Sequence, residues 1–182
     1  METDPQKAIE SLKEGNERFV AGALTLKDSY AELRERLKEG QHPFAVVLCC
    51  SDSRVAPEII FDQKLGDLFV IRNAGNVVDK HVLGSVEYAV EHLETSLVVV
   101  MGHSSCGAVT ATHKGETLPA NIMALAKHIR PSIDTSCCID DNARRHAKRM
   151  AKLIQGDPVV HHLHTQVTAA FYDLRSGKVE WL

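Results

Sequence analysis

The pentapeptide Cys50-Ser51-Asp52-Ser53-Arg54 places a thiol, a carboxylate and a guanidinium on alternate residues, directly after an apolar run. In an extended chain alternate side chains share a face, so all three can address one cavity. A second chemically capable set, His103 and Cys106 in Gly102-His103-Ser104-Ser105-Cys106-Gly107, follows another apolar run. Two thiolates and one imidazole suit zinc, which prefers sulfur and nitrogen donors in tetrahedral sites. A closed structural site would want a fourth Cys or His, and the leftover candidates, Cys137 and Cys138, fall in a different, helical region. Three protein ligands leave one position for water, the mark of a catalytic zinc, which acidifies that water into hydroxide. Cys49, penultimate in its apolar run, reads as a small buried hydrophobe.

The elements that must position these side chains follow from periodicity. Residues 44–49, 68–71 and 97–101 are short apolar runs rich in β-branched residues, the pattern of strands buried on both faces of a parallel sheet. Residues 83–93 between the second and third run have helical periodicity, so strand, helix and strand alternate as in an α/β fold with right-handed crossovers. In open sheets of this kind ligands bind beyond the carboxyl ends of the strands, where Cys50, His103 and Cys106 fall. Ahead of the sheet, Ala8, Ile9, Leu12, Phe19 and Val20 recur at helical spacing, and residues 1–40 read as a helical arm whose apolar stripe must cover its own core or a neighbouring subunit. Residues 120–155 read as mostly helical, broken near Pro131, with Arg144, Arg145, Lys148, Arg149 and Lys152 on a solvated basic face. Arg175-Ser176-Gly177-Lys178 between two apolar stretches marks a C-terminal strand hairpin. The expected architecture is α/β: a mostly parallel central β-sheet flanked by helices, with the arm at one end and the hairpin at the other, all in one domain spanning residues 1–182.

Composition excludes several classes. The 182 residues, 44% hydrophobic, suffice for one well-filled core. A net charge of −3, from 21 basic and 24 acidic side chains, offers no basic surface for nucleic acid. The first residues lack a basic region followed by an apolar one, and no apolar run is long enough to span a bilayer, so the expectation is a cytoplasmic protein without membrane association. Five cysteines, at 49, 50, 106, 137 and 138, make a poor disulfide framework and fit reduced thiols, some of them on a metal.

Together these motifs make the chain resemble a β-class carbonic anhydrase of the bacterial kind. The likeness runs from Glu14-Gly15-Asn16-Glu17-Arg18-Phe19 through Cys50-Ser51-Asp52-Ser53-Arg54, Asp67-Leu68-Phe69-Val70-Ile71-Arg72-Asn73-Ala74-Gly75-Asn76 and His103-Ser104-Ser105-Cys106-Gly107 to Tyr172-Asp173. The resemblance implies one Zn2+ per subunit held by Cys50, His103 and Cys106, and reversible hydration of carbon dioxide to bicarbonate and a proton by zinc-bound hydroxide. It implies a dyad in which Arg54 holds Asp52 ionised and away from the metal. It assigns the substrate pocket to Gln41, Phe69, Tyr88 and Gly107, partly across a homodimer interface, with dimers able to pair into tetramers and the arm clasping the second subunit. Ala74 stands where plant relatives usually carry valine. Val47 replaces the tryptophan that, with the counterparts of Arg72 and Tyr172, forms a bicarbonate-binding switch in some relatives, so an open enzyme without that switch is expected. The alternative on the same scaffold is a hydrolase of carbonyl sulfide or carbon disulfide. A metal-binding module without activity would need neither Asp52 nor Arg54, and a redox protein would not pair adjacent cysteines.

Overall fold

A computed structural model describes residues 4–25 and 29–182. Residues 1–3 and 26–28 of the expected arm lie outside the described residues. Among those described, five strands form one sheet: β1 (Ala45–Cys50), β2 (Leu68–Asn73), β3 (Leu97–His103), β4 (Gln166–Tyr172) and β5 (Val179–Trp181), in the order β2-β1-β3-β4-β5. The first four run parallel, and β5 returns antiparallel to β4 as the expected hairpin. Every residue of β1 and β3 is buried, as their unbroken apolar sequences demand. Edge strand β2 carries an equally apolar sequence, yet Leu68, Phe69, Val70 and Ile71 are only half-buried.

Alternation along β1 divides the core. Val46 and Leu48 face helices α4 (Lys80–His92), α7 (Ile139–Gln155) and α8 (Pro158–His162), whereas Ala45, Val47 and Cys49 face α1 (Pro5–Val20) and α3 (Pro57–Ile60). Chain reversal about β1 therefore creates a crevice between the carboxyl ends of β1 and β3, the switch point where open sheets bind ligands. The remaining helices are α2 (Tyr30–Leu37), α5 (Gly107–Lys114) and α6 (Ala120–Ile129), the last continued by a 3₁₀ turn through Pro131. Helix α8 follows directly on α7 through Gly156-Asp157-Pro158, and Asp157 caps it through the Val159 and Val160 N–H groups.

Helix α1 spends its apolar stripe on its own sheet. Ala8, Ile9 and Leu12 pack against β1 and β3, so among the described residues of the expected arm it is α2, where Leu33 alone is buried and Tyr30 stands exposed, that leaves its surface uncovered. Gly15 sets how closely α1 docks, because a Cβ there would lie 1.8 Å from the Phe61 carbonyl oxygen. Neighbouring Asn16 ties the helix down, donating to the Ile60 and Gly177 carbonyls and accepting from the Val179 N–H. Gly15→Ala is expected to lift α1 off these bonds and destabilise the fold by about 2–3 kcal/mol, read as a lower urea midpoint at unchanged m-value.

Candidate metal centre

β1 ends at Cys50, and the sulfur emerges on the face shared with α7, while Cys49 turns to the opposite face. Burial pushes the Cys49 thiol up to about 12, which fits the inert role expected of it. β3 ends at His103, and the Ser104-Ser105 turn carries the chain to Cys106, which stands immediately before the first turn of α5. Ser104 N–H donates to the Tyr172 carbonyl, its hydroxyl accepts from Leu174 N–H, and Ser105 N–H, at φ 55°, donates to Asp140. These bonds fix the turn that brings a histidine and a cysteine three residues apart onto one point.

The donor atoms of Cys50, His103 and Cys106 all lie within 4.8 Å of one another, and all three residues are buried. His103 Nδ1 sits 2.9 Å from the Ser104 carbonyl, so that nitrogen carries the proton and Nε2 is the lone-pair donor. Nε2 is buried and has no hydrogen-bond partner among the described residues. A buried acceptor left unpaired beside two thiols is costly unless something electrophilic sits between them, and this donor set fits zinc. The neighbouring Cys106 thiol, then the His103 ring and the Gly75 N–H, 3.3 Å from the sulfur, hold the Cys50 thiol well below its ordinary range against the opposing effect of burial. The same proximity to Cys50, with burial, holds Cys106 up. The pair shares one proton until a cation displaces it.

Asp52 and Arg54 do not continue the strand alternation expected of them. They lie on a turn closed by Val55 N–H to the Asp52 carbonyl, and Asp52 Oδ1 accepts the Arg54 backbone N–H at 3.0 Å. An Asx turn wins because its side chain satisfies a backbone donor that no neighbouring strand could reach. The Arg54 guanidinium then grips both carboxylate oxygens, Nε to Oδ1 at 2.9 Å and Nη2 to Oδ2 at 2.7 Å. That fork holds the Asp52 carboxyl well below the usual carboxylate range. Arg72 bonds the carbonyls of Cys50 and Asp52 from β2, while Val47 is fully buried.

Family comparison agrees with this geometry. The carbonic anhydrase family model matches residues 45–179. The chain belongs to the β class of the carbonic anhydrase family. Carbonic anhydrase 2 of Mycobacterium tuberculosis is 45% identical over 161 residues, covering 84% of this chain and 78% of that one. The carbonic anhydrase of Mycolicibacterium smegmatis is 49% identical over 135 residues, covering 72% and 66%. Among solved structures, the β-carbonic anhydrase CcaA superposes with a TM-score of 0.75 at 28% identity, over 97% of this chain and 93% of that one. The β-carbonic anhydrase CafA of Aspergillus fumigatus gives 0.77 at 27% identity, over 97% and 89%. The chain is thus an enzyme of a carbon dioxide-hydrating family, and no described helix is long and apolar enough to cross a membrane.

Three residues expected in the β-class substrate pocket do not join the cluster within one protomer. Phe69 pairs with Val46 and Asn73 with Cys50, so Phe69 sits four residues, about 13 Å, back along the strands. Its ring lies 6.3 Å from that of Tyr88, and Tyr88 shares a cavity of about 450 Å³ with Gln41, His42 and His92 at the amino ends of the strands. Gly107 does adjoin the cluster, following Cys106, and with Ala74 it lines an apolar cavity of about 300 Å³ between α5 and α6. His146, overlooked among the arginines of its helix, is fully buried behind the site. Its signal was spacing: with Asn142, Ala143, Ala147, Met150, Ala151 and Ile154 it forms the buried stripe of α7.

Proposed function

We propose that this chain is a zinc enzyme catalysing reversible hydration of carbon dioxide to bicarbonate and a proton, as a single domain of residues 1–182 in a homodimer. The observation that carries this reading is the buried, partnerless His103 Nε2 facing two thiols, beside a carboxylate locked by arginine. Cys50 and Cys106 as thiolates and His103 through Nε2 would hold the ion. Zinc there would supply the Lewis acidity that makes hydroxide available from water near neutral pH. Asp52, kept ionised by Arg54, accepts a hydrogen bond from the attacking hydroxyl and so turns a lone pair toward the carbon of the substrate. Arg54 also keeps that carboxylate from swinging across the open side of the cluster.

Substrate is held by Gln41, Phe69 and Tyr88 of a second copy and by Gly107 of the first. The half-buried apolar edge strand β2 supports the dimer, since a strand so apolar and unpaired invites another chain. Tetramers built from such dimers, and a cytoplasmic location, complete the reading. With Cys50 and Cys106 both held as thiolates, the charge of such an ion would be largely neutralised and it would supply less acidity than one held by three imidazoles, so hydration is expected to climb between neutral and alkaline pH. Zinc analysis with stopped-flow hydration over that range tests this: one zinc per chain and a rising rate are expected. A zinc-loaded protein inert toward carbon dioxide but active on carbonyl sulfide would transfer the site to that substrate.

A further inference from the structure

Gly75 is built into its position from three sides. It adopts φ +78°, and a Cβ on it would meet Ile129 Cδ1 at 2.8 Å and Ala108 Cβ at 3.0 Å. The surrounding turn is closed by Asn73, whose side chain donates to the Val77 carbonyl and accepts the Val77 N–H. The Gly75 carbonyl oxygen lies 2.9 Å from His146 Nε2, and the other ring nitrogen lies 3.2 Å from the Ser132 hydroxyl. A carbonyl only accepts, so Nε2 carries the proton, Nδ1 is bare, and the Ser132 hydroxyl donates to it. Burial foremost, with the Arg149 and His128 charges adding to it, lowers His146 to about 4, so the ring stays neutral with this tautomer fixed. A chain of bonds thus runs from Ser132 through His146 and Gly75 to the Cys50 sulfur.

We propose that His146 is a positioning residue for the metal centre: by gripping the Gly75 carbonyl it aims the Gly75 N–H at Cys50 and tempers how strongly that thiolate donates to the ion. The inference rests on the metal-centre reading above. An N–H bond to a ligating sulfur withdraws electron density and fixes its direction, and such outer partners commonly change metal affinity 10–100-fold.

Cobalt-substituted and zinc-loaded full-length protein test it. In His146→Leu the thiolate-to-cobalt charge-transfer band is expected to move to lower energy, and zinc to be lost to a chelator about tenfold more readily. His146→Gln, which keeps an N–H donor, should restore both. A folded His146→Leu with the wild-type band and zinc retention would overturn the proposal, as would equal loss of thermal stability in both variants with the band unmoved. If His146→Leu does not fold, Ser132→Ala decides: a smaller shift in the same direction supports the relay, and no shift overturns it. Wild-type protein lacking any thiolate-to-cobalt band would sink the metal-centre reading itself, and this inference with it.

Discussion

Replacing Cys50 by serine is expected to lower carbon dioxide hydration about a thousandfold or more and to remove stoichiometric zinc. A serine hydroxyl fills the same space, so the fold should survive, but it does not ionise near neutral pH and cannot share the cluster's charge. His103 Nε2 and Cys106 would then face each other, buried, with no tetrahedral set to complete. Losing an outer partner alone costs 10–100-fold in many metal sites, so losing a ligand should cost more. The same variant tests the dimer. Gln41→Ala damages the other end of the strands, and in a two-fold assembly one mixed dimer would carry a site with intact Cys50 from one chain and intact Gln41 from its mate. Mixing the two nearly inactive variants under exchange should therefore restore about a quarter of wild-type activity, since half the dimers are mixed and each has one complete site of two. Hydration that persists in Cys50→Ser would put the chemistry elsewhere. Mixtures no more active than their components would confine the pocket to one chain.

Arg54→Leu should lower hydration about a hundredfold, within the range expected when a group positioned for proton or charge handling is lost. Both side-chain bonds to Asp52 disappear, and only the backbone N–H at position 54 remains on Oδ1. The carboxylate becomes free to rotate, and its pKa rises toward the ordinary value near 3.9. In the wild type the depressed pKa keeps Asp52 ionised even in acid; in the variant protonation begins at higher pH but still well below the neutral-to-alkaline range over which hydration climbs, so the rate is expected to fall across that whole range without moving its rise. Arg54→Lys should recover only part of the loss, because an ammonium cannot bind both oxygens in the same fork. Activity within threefold of wild type across that range would reduce the pair to an exposed ion pair of little consequence.

Much of the site was legible because its information is local. Apolar runs ending in Cys50 and His103 announced buried parallel strands, and in such sheets the carboxyl ends are where ligands go. The spacing of His103 and Cys106 across one turn, and of Asp52 and Arg54 across another, needed only the residue types in order. Periodicity likewise announced helix α1, and turn chemistry the terminal hairpin. What distance in sequence separates, tertiary packing decided. His146 looked like part of a basic helix until α7 turned that side of itself toward Gly75, 71 residues away. Asp52 and Arg54 left the strand because a side-chain bond to a backbone N–H outweighed extension once no neighbour could pair there. Gln41, Phe69 and Tyr88 were recognised by resemblance, and strand register places them at the end of their own protomer opposite the cluster. The sequence by itself determined which side chains are capable of chemistry and which element carries each, since both are set by alternation, turns and residue type. Only the tertiary structure decided which of them meet, because sheet order and register, fixed by the summed burial of two helical layers, choose the ends of strands that become neighbours.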